Sequence, residues 1–304
     1  CVLNIGTAHL GEFGGRDNIA KTKSEIYQGL SNTGTAIVPF GDDYFDTLLN
    51  NAQQFTQNIL TFGERDVSLA DAGVDMQQAK EIGLTDEDTV LLMGDVFADD
   101  VEVGNTSTFS LNFNFEIDEI ESQNVTLNFA GEHNISNALA AAACAQALGL
   151  SIDDIAKGLD AAKPAKGRLN FIEFGKHTLI DDTYNANPSA VLAATQVLAS
   201  QGAPTLLVLG DIGELGDAAQ EEHRKLGEAI AASGVTVLYT VGELTPVTVA
   251  QAQASGMQAQ AYPNKASLLA AIKDKLASSD DAWHILFKGS RYMMMEQVMD
   301  ELIR

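Results

Sequence analysis

The pattern of the chain changes within residues 166–189, which begin Lys166-Gly167-Arg168 and end Asp181-Asp182-Thr183-Tyr184-Asn185-Ala186-Asn187-Pro188-Ser189. Residues 169–174 and 178–180 are apolar enough to form two short strands around a turn at Gly175-Lys176. Polar residues follow the second strand, and Pro188 is a favoured first residue of a helix. Open α/β sheets bind ligands at the carboxyl ends of their strands. The segment therefore predicts a hinge that leads into a binding site.

Beyond this hinge, apolar strands and helices alternate to the end of the chain. Such alternation is typical of βαβ units, which build a parallel sheet with right-handed crossovers. We expect strands at 206–209, 236–241, 259–262 and 284–287, a helix that begins at Pro188, and helices at 218–232, 247–254, 265–277 and 293–303. Residues 167–304 are thus predicted to form a Rossmann-like C-terminal domain with a mainly parallel sheet.

The first half of the chain mixes two kinds of strand. Residues 106–117 and 125–129 alternate polar and apolar side chains, as strands of antiparallel sheets do. Asp17 is predicted to cap the first helix and Gly149 to end the third. Further strands are expected at 2–5, 35–39, 55–62 and 90–93, and helices at 17–30, 44–54, 135–148 and 151–159. We expect residues 1–166 to form a central domain with a mixed sheet, so the fold class is α/β.

Composition limits the partners of the protein. The 304 residues are 45% apolar and 20% charged, which is typical of a soluble protein, and this length favours two domains. Lys and Arg number 18 against 42 Asp and Glu, so the protein repels nucleic acids and anionic lipid surfaces. Cys1 and Cys144 suggest no disulfide framework, and no apolar run is long enough to span a bilayer. We expect a cytoplasmic monomer with no nucleic acid partner and no membrane insertion.

Several polar residues occupy positions that suit a nucleotide. Asn134 and Asn137 are three residues apart at the start of an Ala-rich helix, so they share one face. Paired amides match the donor and acceptor edge of an adenine ring, although Asn134 could instead cap the helix. Arg168 follows a glycine and keeps its charge, which suits a phosphate or a salt bridge between the domains.

Four other features leave alternatives open. His9 follows the first expected strand, and Lys23 lies on the next helix; taken singly, neither residue indicates a chemistry. Residues 210–216 follow a strand and contain three glycines, but their spacing differs from that of a dinucleotide motif. This loop either needs unusual backbone angles or lines a ligand. Lys288-Gly289-Ser290-Arg291 also follows a strand, where it forms either an anion site or an ordinary loop.

Taken together, these segments resemble the Mur ligase family. The most specific part is the string from Asp181 to Pro188, and the match extends over nearly the whole chain. The other segments that carry the resemblance are Asn4-Ile5-Gly6-Thr7-Ala8-His9-Leu10, Ala20-Lys21-Thr22-Lys23-Ser24-Glu25-Ile26, Gly131-Glu132-His133-Asn134, Asn137-Ala138-Leu139-Ala140-Ala141, Gly167-Arg168, Val208-Leu209-Gly210-Asp211, Glu214-Leu215-Gly216 and Lys288-Gly289-Ser290-Arg291.

The resemblance implies an ATP-dependent ligase that forms an amide bond. A carboxylate of UDP-N-acetylmuramoyl-tripeptide would be phosphorylated to an acyl phosphate and then attacked by the amine of D-alanyl-D-alanine, with release of ADP and phosphate. The cofactors implied are ATP and Mg²⁺. By the family pattern, His9 and a carbamylated Lys23 would hold Mg²⁺. Asn134 and Asn137 would contact adenine, Arg168 would contact the phosphates, and Asp182 would bind the ribose hydroxyls. The residues that would face the reaction site and the dipeptide are Tyr184, Asn185, Asn187 and Lys288.

One departure from the family pattern affects activity. The chain contains no Gly-x-x-x-x-Gly-Lys-Ser/Thr loop, and it opens on residues 2–5 as a strand already under way. We therefore expect an amino-terminal portion to be missing and the 304-residue chain to be inactive alone. Two alternatives remain. One is a relative such as a folylpolyglutamate synthetase, and the other is a non-catalytic module that binds a nucleotide or a peptide.

Overall fold

The structure is a computed structural model that describes residues 1–6, 10–70, 72–81, 84–85, 88–116, 119–202 and 204–304. Its strands are β1 (Thr35–Pro39), β2 (Asn58–Phe62), β3 (Glu64–Ser68), β4 (Thr89–Met93), β5 (Val96–Val103), β6 (Ser107–Glu116), β7 (Glu119–Leu127), β8 (Asn170–Phe174), β9 (His177–Asp182), β10 (Thr205–Gly210), β11 (Val237–Val241), β12 (Gln258–Tyr262) and β13 (His284–Lys288). Its helices are α1 (Leu10–Phe13), α2 (Arg16–Ser24), α3 (Phe45–Ala52), α4 (Met76–Glu81), α5 (Glu132–Ala147), α6 (Ile152–Ala161), α7 (Pro188–Ser200), α8 (Ala219–Ala232), α9 (Thr245–Ala254), α10 (Lys265–Ala277) and α11 (Glu296–Ile303).

The first half of the chain carries a mixed sheet in the order β1-β2-β5-β6-β7. β1, β2 and β5 run parallel, whereas β6 and β7 continue the sheet in antiparallel pairing. α5 packs on this sheet through small buried residues such as Ala138 and Ala142, which let the helix approach closely. A separate antiparallel pair, β3 and β4, stands beside it. The expected mixed sheet is therefore confirmed.

The second half carries a six-stranded sheet in the order β12-β11-β10-β13-β9-β8. Neighbouring strands from β12 to β9 are parallel, and β8 returns antiparallel to β9 through the turn at Gly175 and Lys176. Every residue of β10 is buried, because helices cover both faces of the sheet. The mainly parallel sheet is confirmed, and it places the ends of β9, β10 and β13 along one edge.

The beginning of the chain differs from the sequence prediction. Residues 2–5 form no strand, since Val2 makes one backbone hydrogen bond to the Ile37 carbonyl (3.2 Å) and the Ile5 N–H donates to the Asp42 carboxylate (2.7 Å) instead. Asp17 does not cap α2. Gly15 precedes the helix there, and Asp17 accepts a hydrogen bond from the Tyr44 hydroxyl (2.6 Å). The prediction for Gly149 is confirmed, because it follows α5 with a positive φ of 82°.

Asp211, directly after β10, fastens two neighbouring loops of the second sheet together. Its buried carboxylate accepts hydrogen bonds from the backbone N–H groups of Glu243 (2.7 Å), Leu244 (3.0 Å) and Thr245 (2.9 Å). These groups lie at the start of α9, where N–H groups have no partner inside the helix. Gly242 lets the carboxylate come this close, because an added Cβ would lie 2.2 Å from the Asp211 Oδ1 atom.

Gly242→Ala is expected to lower the free energy of unfolding by about 2–4 kcal/mol. The new methyl group must displace the Asp211 carboxylate, and Gly242 also has a φ of 150° that side chains rarely tolerate. Urea denaturation followed by circular dichroism measures the change. Gly158→Ala in α6 is the matched control. No atom lies within 4 Å of its added methyl group, so it should be neutral or stabilising by about 0.5–1 kcal/mol. Equal effects of the two substitutions would contradict the account.

The two halves of the chain touch at glycines. A Cβ added at Gly11 of α1 would lie 2.5 Å from the backbone nitrogen of Gly216, which follows β10. Gly131, before α5, lies against Val197 of α7 in the same way (3.0 Å). The backbone of Gly11 thus meets the backbone of Gly216, and the backbone of Gly131 meets the Val197 side chain, so the two halves pack closely at both points. Within the described residues, no helix is long and apolar enough to cross a membrane.

Candidate active site

A cleft of about 590 Å³ lies where the two halves meet. All predicted site residues within the described ranges line it: Lys23, Asn134, Asn137, Arg168, Asp182, Tyr184, Asn185, Asn187 and Lys288. They come from α2, α5, the hinge, the residues after β9 and the end of β13. His9, the remaining predicted residue, lies outside the described residues. The structure therefore brings together side chains that are as much as 265 positions apart, from Lys23 to Lys288, in the sequence.

Asp182 and Lys288 form a buried ion pair at the floor of the cleft. The Lys288 ammonium lies 2.5 Å from Asp182 Oδ2 and 3.0 Å from the Asn185 carbonyl oxygen. Asp182 Oδ1 also accepts the Leu169 N–H (3.3 Å). Burial raises the pKa of the Asp182 carboxyl above its ordinary value, and the nearby Lys288 charge opposes that rise. This pairing exists because β9 and β13 are adjacent and Lys288 lies opposite Asp182 in their register.

Arg168 and Tyr184 form the hinge side of the cleft. The Arg168 guanidinium lies over the Tyr184 ring at 4.3 Å from its centroid, a distance typical of cation–π contacts. The Tyr184 N–H donates to the Gly167 carbonyl (3.0 Å), and this bond holds the Tyr184 backbone next to the hinge residue that precedes Arg168. Arg168 forms no ion pair with a carboxylate in the part of the chain that the structure describes. The alternative of a salt bridge between domains therefore receives no support, whereas an exposed cation at the cleft suits a phosphate.

Asn185 and Asn187 use their amide oxygens for structure. Asn187 caps α7, since its Oδ1 accepts the Ala190 N–H (2.8 Å). Asn185 Oδ1 accepts the N–H groups of Ala186 (2.8 Å) and Arg291 (3.2 Å). Both residues line the cleft, and their amide N–H groups have no described protein partner. Two such donors can bind the carbonyl oxygens of a peptide.

The start of α5 forms the opposite wall. Asn134 Nδ2 donates to the Ala130 carbonyl (2.8 Å), and Asn137 Nδ2 donates to Asn134 Oδ1 (3.3 Å). Asn134 does not cap the helix, because Gly131 occupies that position. The first amide thus orients the second, and the amide oxygen of Asn137 accepts no hydrogen bond from the described residues, so it can accept one from a donor such as the amino group of adenine.

His133 is a cleft residue that the sequence analysis quoted in a motif but assigned no role. It lies next to Asn134, with its Nε2 atom 3.3 Å from Asn134 Nδ2. Burial lowers the pKa of His133, and the Lys288 charge lowers it further, so the ring is neutral at neutral pH. The available signal in the sequence was a histidine directly before Asn134 and four residues before Asn137. The closeness of Lys288 comes from the other half of the chain and could not be read from the sequence.

The described residues do not by themselves make a metal site. They contain no group of three His, Cys, Asp or Glu side chains that could hold an ion. Lys23 lines the cleft, but its ammonium donates to the Asn4 carbonyl (2.9 Å), and a cation does not ligate Mg²⁺. An oxygen ligand at this position requires the carbamate that the family resemblance implies.

The glycines of the β10 and β13 loops serve packing. An added Cβ would meet the Met295 side chain at 3.0 Å from Gly210 and at 2.8 Å from Gly289. Met295 is fully buried and fills the space beyond β10 and β13, where open α/β sheets often hold a ligand. Gly213 likewise lies against Tyr292. Glu214 (φ 64°) and Gly216 (φ 55°) have the unusual backbone angles that the structural alternative for residues 210–216 expected, and none of these residues lines the cleft, which lies at the end of β9 instead.

Two family models match the chain in sequence. The Mur ligase middle domain matches residues 1–145, and the domain described as Mur ligase, glutamate ligase domain matches residues 167–291. The UDP-N-acetylmuramoyl-tripeptide--D-alanyl-D-alanine ligase of Escherichia coli is 33% identical over 305 residues, and the same-named ligase of Bacillus subtilis is 30% identical over 308 residues. These alignments cover 99% of this chain but only 59% and 58% of the two relatives.

A solved structure agrees with these sequence matches. A crystal structure of MurF from Acinetobacter baumannii superimposes with a TM-score of 0.82 at 39% identity, covering 99% of this chain and 58% of that protein. The chain thus spans a little under three fifths of the length of the relatives it matches. Since both domains match in the family's order and the relatives align over nearly every residue, the chain belongs to the Mur ligase family.

Proposed function

We propose that the protein to which this chain belongs is an ATP-dependent ligase that joins D-alanyl-D-alanine to UDP-N-acetylmuramoyl-tripeptide. The observation that carries the proposal is the single cleft that collects every described residue the family pattern names. The names of the Escherichia coli and Bacillus subtilis relatives support the same substrates. The product is a precursor of peptidoglycan, so the protein would serve cell wall synthesis and thereby cell shape and division.

The nucleotide half of the proposal uses the first wall and the hinge. Asn137, oriented by Asn134, meets the adenine ring, and Asp182 accepts hydrogen bonds from the ribose hydroxyls. Arg168, held over Tyr184, meets the phosphates. Phosphoryl transfer depends on positioning and on neutralising charge, and the chain is strongly acidic overall with a net charge of −24. A local cation at the cleft is therefore needed.

The peptide half uses the loop after β9. The tripeptide carboxylate attacks the γ-phosphate, ADP leaves, and the dipeptide amine then displaces phosphate from the acyl phosphate. The free amide N–H groups of Asn185 and Asn187 would hold the dipeptide backbone, while Lys288 keeps Asp182 and the Asn185 backbone in place. Mg²⁺ would be held by His9 and a carbamylated Lys23, where it supplies neutralising charge to the phosphates.

We also propose a division into domains at residues 166 and 167, a monomer, and a cytoplasmic location. The hinge backbone between α6 and β8 supports the division, since the mixed sheet lies before it and the parallel sheet lies after it. The composition and the free cysteines are compatible with a reducing compartment.

Product release by the full-length protein tests the proposal. We expect ADP release that requires ATP, UDP-N-acetylmuramoyl-tripeptide and D-alanyl-D-alanine together, and we expect none from the 304-residue chain, which has no Gly-x-x-x-x-Gly-Lys-Ser/Thr loop. Turnover with folate and glutamate instead would identify a folylpolyglutamate synthetase. ATP binding without turnover on any of these substrates would identify a binding module.

A further inference from the structure

Arg291 is an exposed cation that lies outside the cleft lining, three residues after the lining residue Lys288. Its side chain is 54% exposed, and its Nη2 atom donates to Glu296 Oε1. Within the described part of the chain, no other protein atom accepts a hydrogen bond from the guanidinium. The Nε and Nη1 donors therefore face solvent, which leaves more than half of the planar donor fork available.

The backbone fixes Arg291 beside the cleft. Its N–H donates to Asn185 Oδ1 (3.2 Å), and Asn185 itself lines the cleft. Tyr184, half-exposed on the same wall, is near enough to act on the guanidinium. The pKa of Arg291 is raised mainly by the hydrogen bond that it donates to Glu296 and to a smaller extent by Tyr184. Arg291 is thus one side chain away from the amides assigned to the incoming dipeptide.

The other polar members of the β13 loop already have partners. Lys288 is buried against Asp182, and Ser290 Oγ accepts the Gly213 N–H (2.8 Å) and contacts the Ala186 carbonyl oxygen (3.4 Å). Among the polar side chains of residues 288–291, all of which the structure describes, Arg291 alone keeps donors that are free for a ligand. In a protein with a net charge of −24, a small anion is attracted to such a place only by a local cation.

We propose that Arg291 binds the free carboxylate of the incoming dipeptide and so selects an acceptor that ends in a charged carboxyl group. This inference rests on the proposed function. An extended dipeptide spans about 7 Å, so a dipeptide whose amine lies at the reaction site can carry its carboxylate past Asn185, to which the Arg291 backbone is bonded. An arginine fork matches a carboxylate with two parallel hydrogen bonds, and Glu296 holds the guanidinium without consuming its Nε and Nη1 donors.

The test compares D-alanyl-D-alanine with its C-terminal amide in the full-length ligase. For the native enzyme, the KM for the amide should exceed the KM for the acid. Arg291→Gln should raise the KM for the acid about 10–100-fold, as expected for a lost hydrogen bond to a charged group, and should abolish the preference for the acid. The kcat and the KM for ATP should stay within about twofold.

Arg291→Lys should restore part of the preference. Arg224→Gln on α8, another exposed arginine paired with glutamates, is the matched control and should keep native constants.

The outcomes separate the two proposals. If the native enzyme uses neither the acid nor the amide, the proposed function fails and this inference fails with it. If it uses both equally well, or if Arg291→Gln keeps the preference for the acid, the ligase stands and the role of Arg291 is wrong. Loss of ATP affinity in Arg291→Gln would move the residue to the nucleotide site and would also overturn the inference.

Discussion

Methionine in place of Lys288 is expected to lower the free energy of unfolding by about 3–5 kcal/mol, because it leaves the Asp182 carboxylate buried without its partner. The ion pair is almost fully enclosed, with 4% and 12% of the two side chains exposed. For a chain of this length, the melting temperature should fall by roughly 10 °C. Only the Leu169 N–H would still donate to the carboxylate. Urea denaturation of the native and variant chains measures the loss.

The same experiment has a pH dependence of known sign. Burial already raises the pKa of Asp182, so in the variant the buried charge destabilises the fold above that pKa. As the pH falls through the pKa, protonation removes the charge and the deficit should shrink. Adding Asp182→Asn should likewise recover part of the loss, since the pair is coupled. Lys225→Met removes a pair with Glu222 in which the lysine is 58% exposed, and it should cost less than about 1 kcal/mol. A similarly small cost for Lys288→Met would refute the account.

Alanine in place of Lys23 is expected to reduce the turnover of the full-length ligase about 100-fold or more. The reason is the proposed carbamate, which would turn a cation into an oxygen ligand for Mg²⁺; losing a ligand should cost at least as much as losing one of its supporting partners. Lys23 lies on α2 at the cleft, where its present hydrogen bond to Asn4 fixes the chain position but supplies no ligand. Steady-state ADP release measures the effect.

Chemical rescue distinguishes a carbamate from a simple positive charge. Short carboxylic acids such as acetate should restore part of the turnover in Lys23→Ala, because they return an oxygen donor to the cavity. Lys21→Ala, two residues away on the same exposed helix, should keep native turnover. Full turnover of Lys23→Ala without any added acid would exclude the proposed ligand.

The strands and helices with strong periodic patterns were predicted well. β1 and α10 have the expected bounds, since an apolar run between turns and a capped amphipathic helix leave little choice. Residues 2–5 misled the prediction because apolar residues can be buried without a ladder of hydrogen bonds. At Asp17, a partner from a distant segment, Tyr44, competed with the local cap. Tertiary contacts of this kind are invisible in a local window.

The sequence predicted which residues form the site better than it predicted the contacts that those residues make with one another. Parallel strands end at one edge, so the loops after β9 and β13 had to come together. The sequence could not show that Lys288 lies against Asp182, because that pairing depends on the strand order, in which β13 inserts between β10 and β9. Nor could it show that Arg168 stacks on Tyr184 or that Asn187 caps α7. The role of His9 stays a prediction, since His9 lies outside the described residues.

The backbone contact between Gly11 and Gly216 suggests a way to inhibit the protein at a distance from its substrates. Neither glycine lines the cleft, yet there is no room between them for even one methyl group. A small compound that binds between these two loops would hold the halves of the chain apart. Asn137 on α5 and Asp182 at the end of β9 would then no longer face the same cleft correctly. Such a compound would lie outside the cleft, so the proposed nucleotide and peptide would not displace it by competition.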